Sequence, residues 1–312
     1  MIATRRSRAD FAYRFLASAS GLGTLLILFL IGLFLFLQGL PAFRYMGLGF
    51  FTTTGWITQG AHPKFGVLAL AIGTFIIASV AIVIAVPIAV AAALFISEYA
   101  PRRARKPLTS LVDLMAAVPS VIFGLWGFFQ VQPAVIGFAR FLSTYFGWIP
   151  IFHDSTSLYT SSAAMAGIVV AIMVMPIVAS IAREVFSLAP QAEREGALAL
   201  GASRWRVIRA VVLPFGRGGL VGATMLGLGR ALGETIAVAI LISPVFVVQL
   251  HILQPGTNSI ASWIANAFGS GGQLGLHGLL AAGFVLFVMT LVVNLVASVI
   301  VNRSRSGKGV EL

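Results

Sequence analysis

Six blocks of apolar residues, at about 15–37, 65–96, 111–129, 162–182, 218–243 and 279–301, alternate with more polar connections along the chain. Each block is close to or longer than the roughly 20 residues that a helix needs to cross a 30 Å hydrocarbon core. The pattern predicts an all-α, polytopic membrane protein with six transmembrane helices. The second block is long enough to require a tilt or a kink at Pro87, and the third is short and carries Pro119. The first block follows Arg5, Arg6, Arg8 and Arg14, as the core of a secretory leader would, but its apolar run exceeds the roughly 7–15 residues of a leader and no small-residue cleavage site follows. It is read as a retained anchor.

Basic residues set the expected orientation. Of the 21 Lys and Arg, 17 fall before the first block, in 98–110, in 183–217 or after the last block. Arg44, Lys64 and Arg140 fall in the alternate connections, and Arg230 lies inside a block. The positive-inside rule then places both termini in the cytoplasm. This divides the chain into a tail (1–14), a six-helix domain (15–301) with a cytoplasmic segment (183–214), and a second tail (302–312). The outer connections, 38–64, 130–161 and 244–278, carry Trp56, Trp148 and Trp263, which suit an interfacial aromatic belt. In the last of them Asn258 is expected to cap a short helix presenting Ile260, Trp263, Ile264 and Phe268 on one face before Gly269.

Composition narrows the function. The 312 residues are 59% hydrophobic and 10% charged, which excludes a soluble globule. The absence of cysteine excludes disulfides and thiolate chemistry, and His62, His153, His251 and His277 are too scattered for metal-ligand spacing, so no metal site is expected. The net charge of +12 arises from clusters beside the apolar blocks and does not point to nucleic acid.

Three places carry chemistry. Segment 183–214 is longer than a plain connection and rich in helix formers: 191–200 (QAEREGALAL) predicts a helix stopped near Gly201, and Trp205 to Leu213 a second amphipathic stretch. Two readings remain open, a protein contact surface and a basic loop lying on anionic lipid. In the fifth block Arg230 and Glu234 are four residues apart, one helical turn, and burying each costs about 2.5–3.5 kcal/mol. They line a pathway or form a self-compensated pair. Gly218/Gly222 and Gly229/Gly233 beside them suit close approach of another helix. In the third block Pro119, Ser120 and Gly124 suit a broken helix at a cavity wall or a simple kink, and Asp113 suits the positive end of the helix dipole. Nothing resembles an ATP-binding Gly-rich loop, and no catalytic constellation accompanies the buried glutamate.

The run Glu195-Gly196-Ala197, three residues, Gly201, nine residues, Val211-Val212-Leu213-Pro214 resembles the EAA signature of ABC importer permeases, with Gly196 and Val211 as departures. GRALGETIAV, VPSVIFGLWG, KFGVLALAIGT, ISEYAP and the outer FFTTTGWITQGAHPKFG are similar to the permeases of phosphate-specific importers of the PstC type, from about Leu40 onward. The resemblance implies a MetI-like fold and a permease without cofactor or catalytic residues of its own. Its partners would be a PstA-type permease subunit, two PstB-type ATPase subunits that hydrolyse the ATP, a PstS-type phosphate-binding protein and membrane lipid. It gives Glu195, Ala197, Gly201, Leu213 and Pro214 to ATPase coupling, and leaves Arg230, Glu234 and Ser120 as the residues expected on the substrate pathway. The alternatives are the sister PstA position, another oxyanion such as sulfate, and an ion-coupled secondary transporter.

Overall fold

The computed structural model describes residues 8–304. Arg5, Arg6, Arg305 and Lys308, which bear on orientation, lie outside them, as does the end of the expected second tail. Among the described residues six helices are long and apolar enough to span a membrane: Ala12–Met46, Leu68–Tyr99, Ser120–Phe146, Ala163–Ser187, Arg204–Leu232 and Gly272–Val299. Helical structure already begins at Arg8 and continues to Ser304, across both boundaries assigned to the tails.

The number of spans agrees with the hydropathy pattern, but two of them are displaced. The third was expected at 111–129; instead Arg102–Ala117 is a separate amphipathic helix with no buried residue, lying against the fourth span. Val118 and Pro119 are extended, as a residue before proline prefers, and the helix restarts at Ser120. It continues past Gln130, Gln132 and Pro133 through a wide π-type turn, Gly127–Val131, which accommodates a proline that cannot donate to the preceding turn. Asp113 therefore sits near the C-terminal, negative end of a helix, contrary to the dipole expectation, and its Oδ1 accepts a hydrogen bond from Ser180 Oγ at 3.1 Å. The fifth span begins early, because the stretch from Trp205 is not a separate helix. It joins Leu213–Leu232 through a second wide turn, Ile208–Val212, just before Pro214.

The second and fourth spans form the centre. Ala78, Ala81, Ala85 and Ala89, spaced three or four apart, make a smooth stripe against Ala166, Val170, Val174 and Val178 of the fourth span. The first span packs on the last and is otherwise almost wholly uncovered within this chain.

In the connection between the first two spans, Trp56–Ile57 pairs antiparallel with Lys64–Phe65, and Trp56 lies edge-on to Trp263 at 6.1 Å. Both tryptophans belong to an aromatic cluster with Phe50, Phe65 and Phe246, so only the exposed Trp148 keeps the aspect of a belt residue. The short helix Ile260–Ala267 is capped by Ser259, not Asn258, in a reciprocal box with Ser262. Asn258 accepts from Ser259 N and Ser262 Oγ behind that cap. Residues 257–262 are buried against the second span: Thr74 Oγ1 accepts from Ile260 N at 2.9 Å, and a Cβ on Gly73 would lie 2.0 Å from the Asn258 carbonyl oxygen. Only glycine permits that approach.

Candidate functional site

The fifth span breaks where its charges lie. The helix ends at Leu232, Gly233 to Thr235 are non-helical, and a short helix, Ile236–Leu241, continues the path. Arg230 and Glu234 therefore do not share one continuous helix face, and they form no ion pair. The carboxylate turns the other way: Glu234 is 7% exposed and its Oε1 accepts from Ala237 N at 3.4 Å, capping the short helix where unpaired N–H groups favour a negative charge. Arg230 is exposed and makes no hydrogen bond to another described residue.

Both residues line an open cavity of about 710 Å³ with Gly222, Gly229, Gly233 and Asn294. A Cβ added at Gly222 or Gly229 would meet no described atom within 4 Å beyond its own helix backbone, so this face of the helix is open among the described residues. The small residues of this helix that do pack are on another face: Gly216 and Gly219 meet Phe186 and Val185, and Gly227 meets Val174 and Val178. Ser120 does not line the cavity; its short helix, Ser120–Trp126, packs on Ile236–Leu241, with Gly124 against Ala237. Asn294 was missed by the sequence reading. Its signal was present, an amide among the apolar residues Leu291 to Val296, and polar groups at such positions face a bundle interior or cavity. A guanidinium with its donors free, beside glycine walls, an amide and a carboxylate held by its own cap, can bind an anion through a fork of N–H groups.

The second site is segment 183–214. Gln191–Ala199 is helical, one residue short of the expected end, and none of it is fully buried. Its stop is a Schellman turn: Ala202 N donates to Ala197 O and Gly201 N to Leu198 O, with Gly201 at φ +80°. Gly201 is required by that backbone, since a side chain there would otherwise meet open space. Glu195 is exposed and accepts from Gln191 Nε2 at 2.8 Å, while Ala197 is half-buried. Leu213 and Pro214 are not brought to this surface together: Leu213 packs inward on Phe186, Ala189 and Val212, and Pro214 is exposed at the start of its helix. Sequence reasoning also missed Arg194 and Glu98, whose side chains meet beneath the helix with N···O distances of 2.9 and 3.0 Å.

The chain was compared with known proteins. A family model described as binding-protein-dependent transport system inner membrane component matches residues 85–306. The chain is 41% identical over 304 residues to the phosphate transport system permease protein PstC 2 of Mycobacterium tuberculosis, covering 96% of this chain and 94% of that one. It is 37% identical over 309 residues to the PstC protein of Xylella fastidiosa, covering 98% and 94%. Among solved structures, a bacterial ABC transporter involved in import of the acidic polysaccharide alginate superposes with a TM-score of 0.55 at 19% identity, over 95% of this chain and 98% of that one, which is a likeness of fold. With six spans, the matched signature region and this extent of similarity, the chain belongs to the family of binding-protein-dependent transport system inner membrane components, the MetI-like ABC importer permeases.

Proposed function

We propose that this chain is the PstC-type permease subunit of an ATP-driven importer of inorganic phosphate. The observation that carries the reading is the unpaired Arg230 in the cavity of the broken fifth span, in a chain whose relatives over nearly their whole length are phosphate transport permeases. Arginine supplies a charged fork for phosphate oxygens. Glu234, fixed by its cap, repels a fully ionised oxyanion and accepts a hydrogen bond from a phosphate that carries a proton, which disfavours sulfate.

The uncovered face of Gly222 and Gly229 suits a PstA-type sister permease across the pathway. The exposed face of Gln191–Ala199, with Glu195, Ala197 and Gly201, is the contact for one of two PstB-type ATPases. Those partners hydrolyse the ATP, and this chain contributes no cofactor or catalytic group. A PstS-type binding protein delivers phosphate at the outer face, and both termini are cytoplasmic. The test is uptake of labelled phosphate and labelled sulfate by vesicles containing the co-expressed complex, with and without internal ATP. ATP-dependent phosphate uptake with little sulfate uptake is expected; equal uptake of both, or uptake without ATP, overturns the reading.

A further inference from the structure

Arg194 reaches back from the cytoplasmic helix Gln191–Ala199 to two other elements at once. Its Nη1 meets both carboxylate oxygens of Glu98, and its Nη2 donates to the Phe186 carbonyl at 2.5 Å. Glu98 lies in the wide turn Phe95–Tyr99 that closes the second span, and Phe186 is in the last turn of the fourth. The pair is largely withdrawn from water, with side-chain exposures of 21% for Arg194 and 12% for Glu98. Elsewhere the contact helix is thinly held, with its glutamates and Leu198 exposed and none of its residues fully buried. The second and fourth spans in turn form the centre of the transmembrane core.

We propose that Glu98 and Arg194 are a positioning pair that delivers movement of the cytoplasmic helix to the second and fourth spans, so that without it a partner's ATP cycle no longer moves the cavity. The charges suit this role. A planar fork with a carboxylate on one nitrogen and a carbonyl on the other fixes direction as well as distance, which a lysine ammonium does not. Among the other charged groups lining the same hollow, Arg105 Nε is given to the Ala100 carbonyl, Glu195 is bonded to Gln191, and Arg204 forms no ion pair with Glu98.

The inference rests on the reading of this helix as the ATPase contact, but not on phosphate as the substrate. Its test is built accordingly. In the assembled complex, every variant carries Ile177→Cys as a reporter on the cavity wall formed by the fourth span, and two readouts are taken: ATP hydrolysis, and the ATP-dependent change in thiol labelling at position 177. Glu98→Gln and Arg194→Gln are expected to retain hydrolysis and lose most of the labelling change, with the double variant no worse than either single one. Arg194→Lys should recover part of it. Should the single variants fail to assemble, Glu98→Leu with Arg194→Met fills the buried space without charge; it is expected to assemble, hydrolyse ATP and show no labelling change. An undiminished labelling change in these variants, or none in the wild-type complex, overturns the proposal. A wild-type complex that responds to ATP yet takes up no phosphate sinks the substrate reading alone.

Discussion

Two of the arginine and glutamate sets among the described residues are built from the same residue types and arranged in opposite ways. Beneath the helix Gln191–Ala199, Arg194 and Glu98, 96 positions apart, are brought into a two-oxygen contact that leaves little of either exposed. In the fifth span Arg230 and Glu234, four positions apart, are kept from pairing by a helix break that turns the glutamate onto a backbone N–H. Sequence spacing put Arg230 and Glu234 on one helix face, and the break removes that face. An ion pair of this kind is a fastening, because its charges cancel and two elements are tied together, although Arg194 Nε has no partner among the described residues. An arginine denied its neighbour keeps its donors, and the cost of holding it in a membrane domain falls when an anion enters.

The contrast can be broken first on topology, where the outcome is all or none. With no native cysteine, single cysteines at Arg105 and Trp205 should be protected from an impermeant thiol reagent in intact cells, whereas those at Trp148 and Phe268 should react. The outer positions are chosen for their exposure, 79% and 72%; residue 260, at 0%, would stay unlabelled on either side. External labelling at 205 would place the fastened pair on the wrong face of the membrane.

Next in size is Arg230→Gln, which should abolish most phosphate uptake at matched membrane levels while assembly persists. Arg230→Lys should recover only part, because the fork is lost. Wild-type uptake by the glutamine variant would make the two arginines alike, both structural.

Gly201→Trp acts on the other region. Forcing a bulky residue into the left-handed backbone costs about 1–2 kcal/mol and enlarges the exposed turn. Insertion should be unchanged and ATPase association weakened, measured by co-purification with the ATPase. Full association would remove this turn from the contact. The smallest effect is expected for Glu234→Gln, since an amide oxygen can still accept from Ala237 N. Uptake should fall less than in Arg230→Gln; an equal fall would mean that the charge acts directly on the ion and that the cap is incidental.

Much of this was legible in the sequence, for identifiable reasons. The apolar blocks were long enough to give the right number of spans, and Gly201 after a run of helix formers correctly marked a stop. The third span was misplaced because hydropathy penalised Gln130, Gln132 and Arg140 and rewarded Leu111 to Ala117, whereas the backbone obeyed Pro119. The fifth span was drawn as one helix because GRALGETIAVAI contains no proline. Its break depends on Gly233 and on a glutamate that finds a better partner in the next helix than in Arg230. The contact between positions 98 and 194 depends on how the second and fourth spans pack, and no local periodicity encodes it. Asn294 is a different matter, a visible signal passed over.

The close seat of Asn258 on Gly73 bears on how the second span can travel. In mechanical terms the span is a strut with a fixed outer joint. Sliding it along its own axis by one helical turn, about 5.4 Å, would replace Gly73 at that seat with a residue three or four places away. Those residues are Ala69, Leu70, Ile76 and Ile77, and every one carries a Cβ where the Asn258 carbonyl leaves no room. The seat therefore opposes an axial slide and leaves tilting about residue 73 as the easier displacement, with an amplitude that grows with distance from that residue.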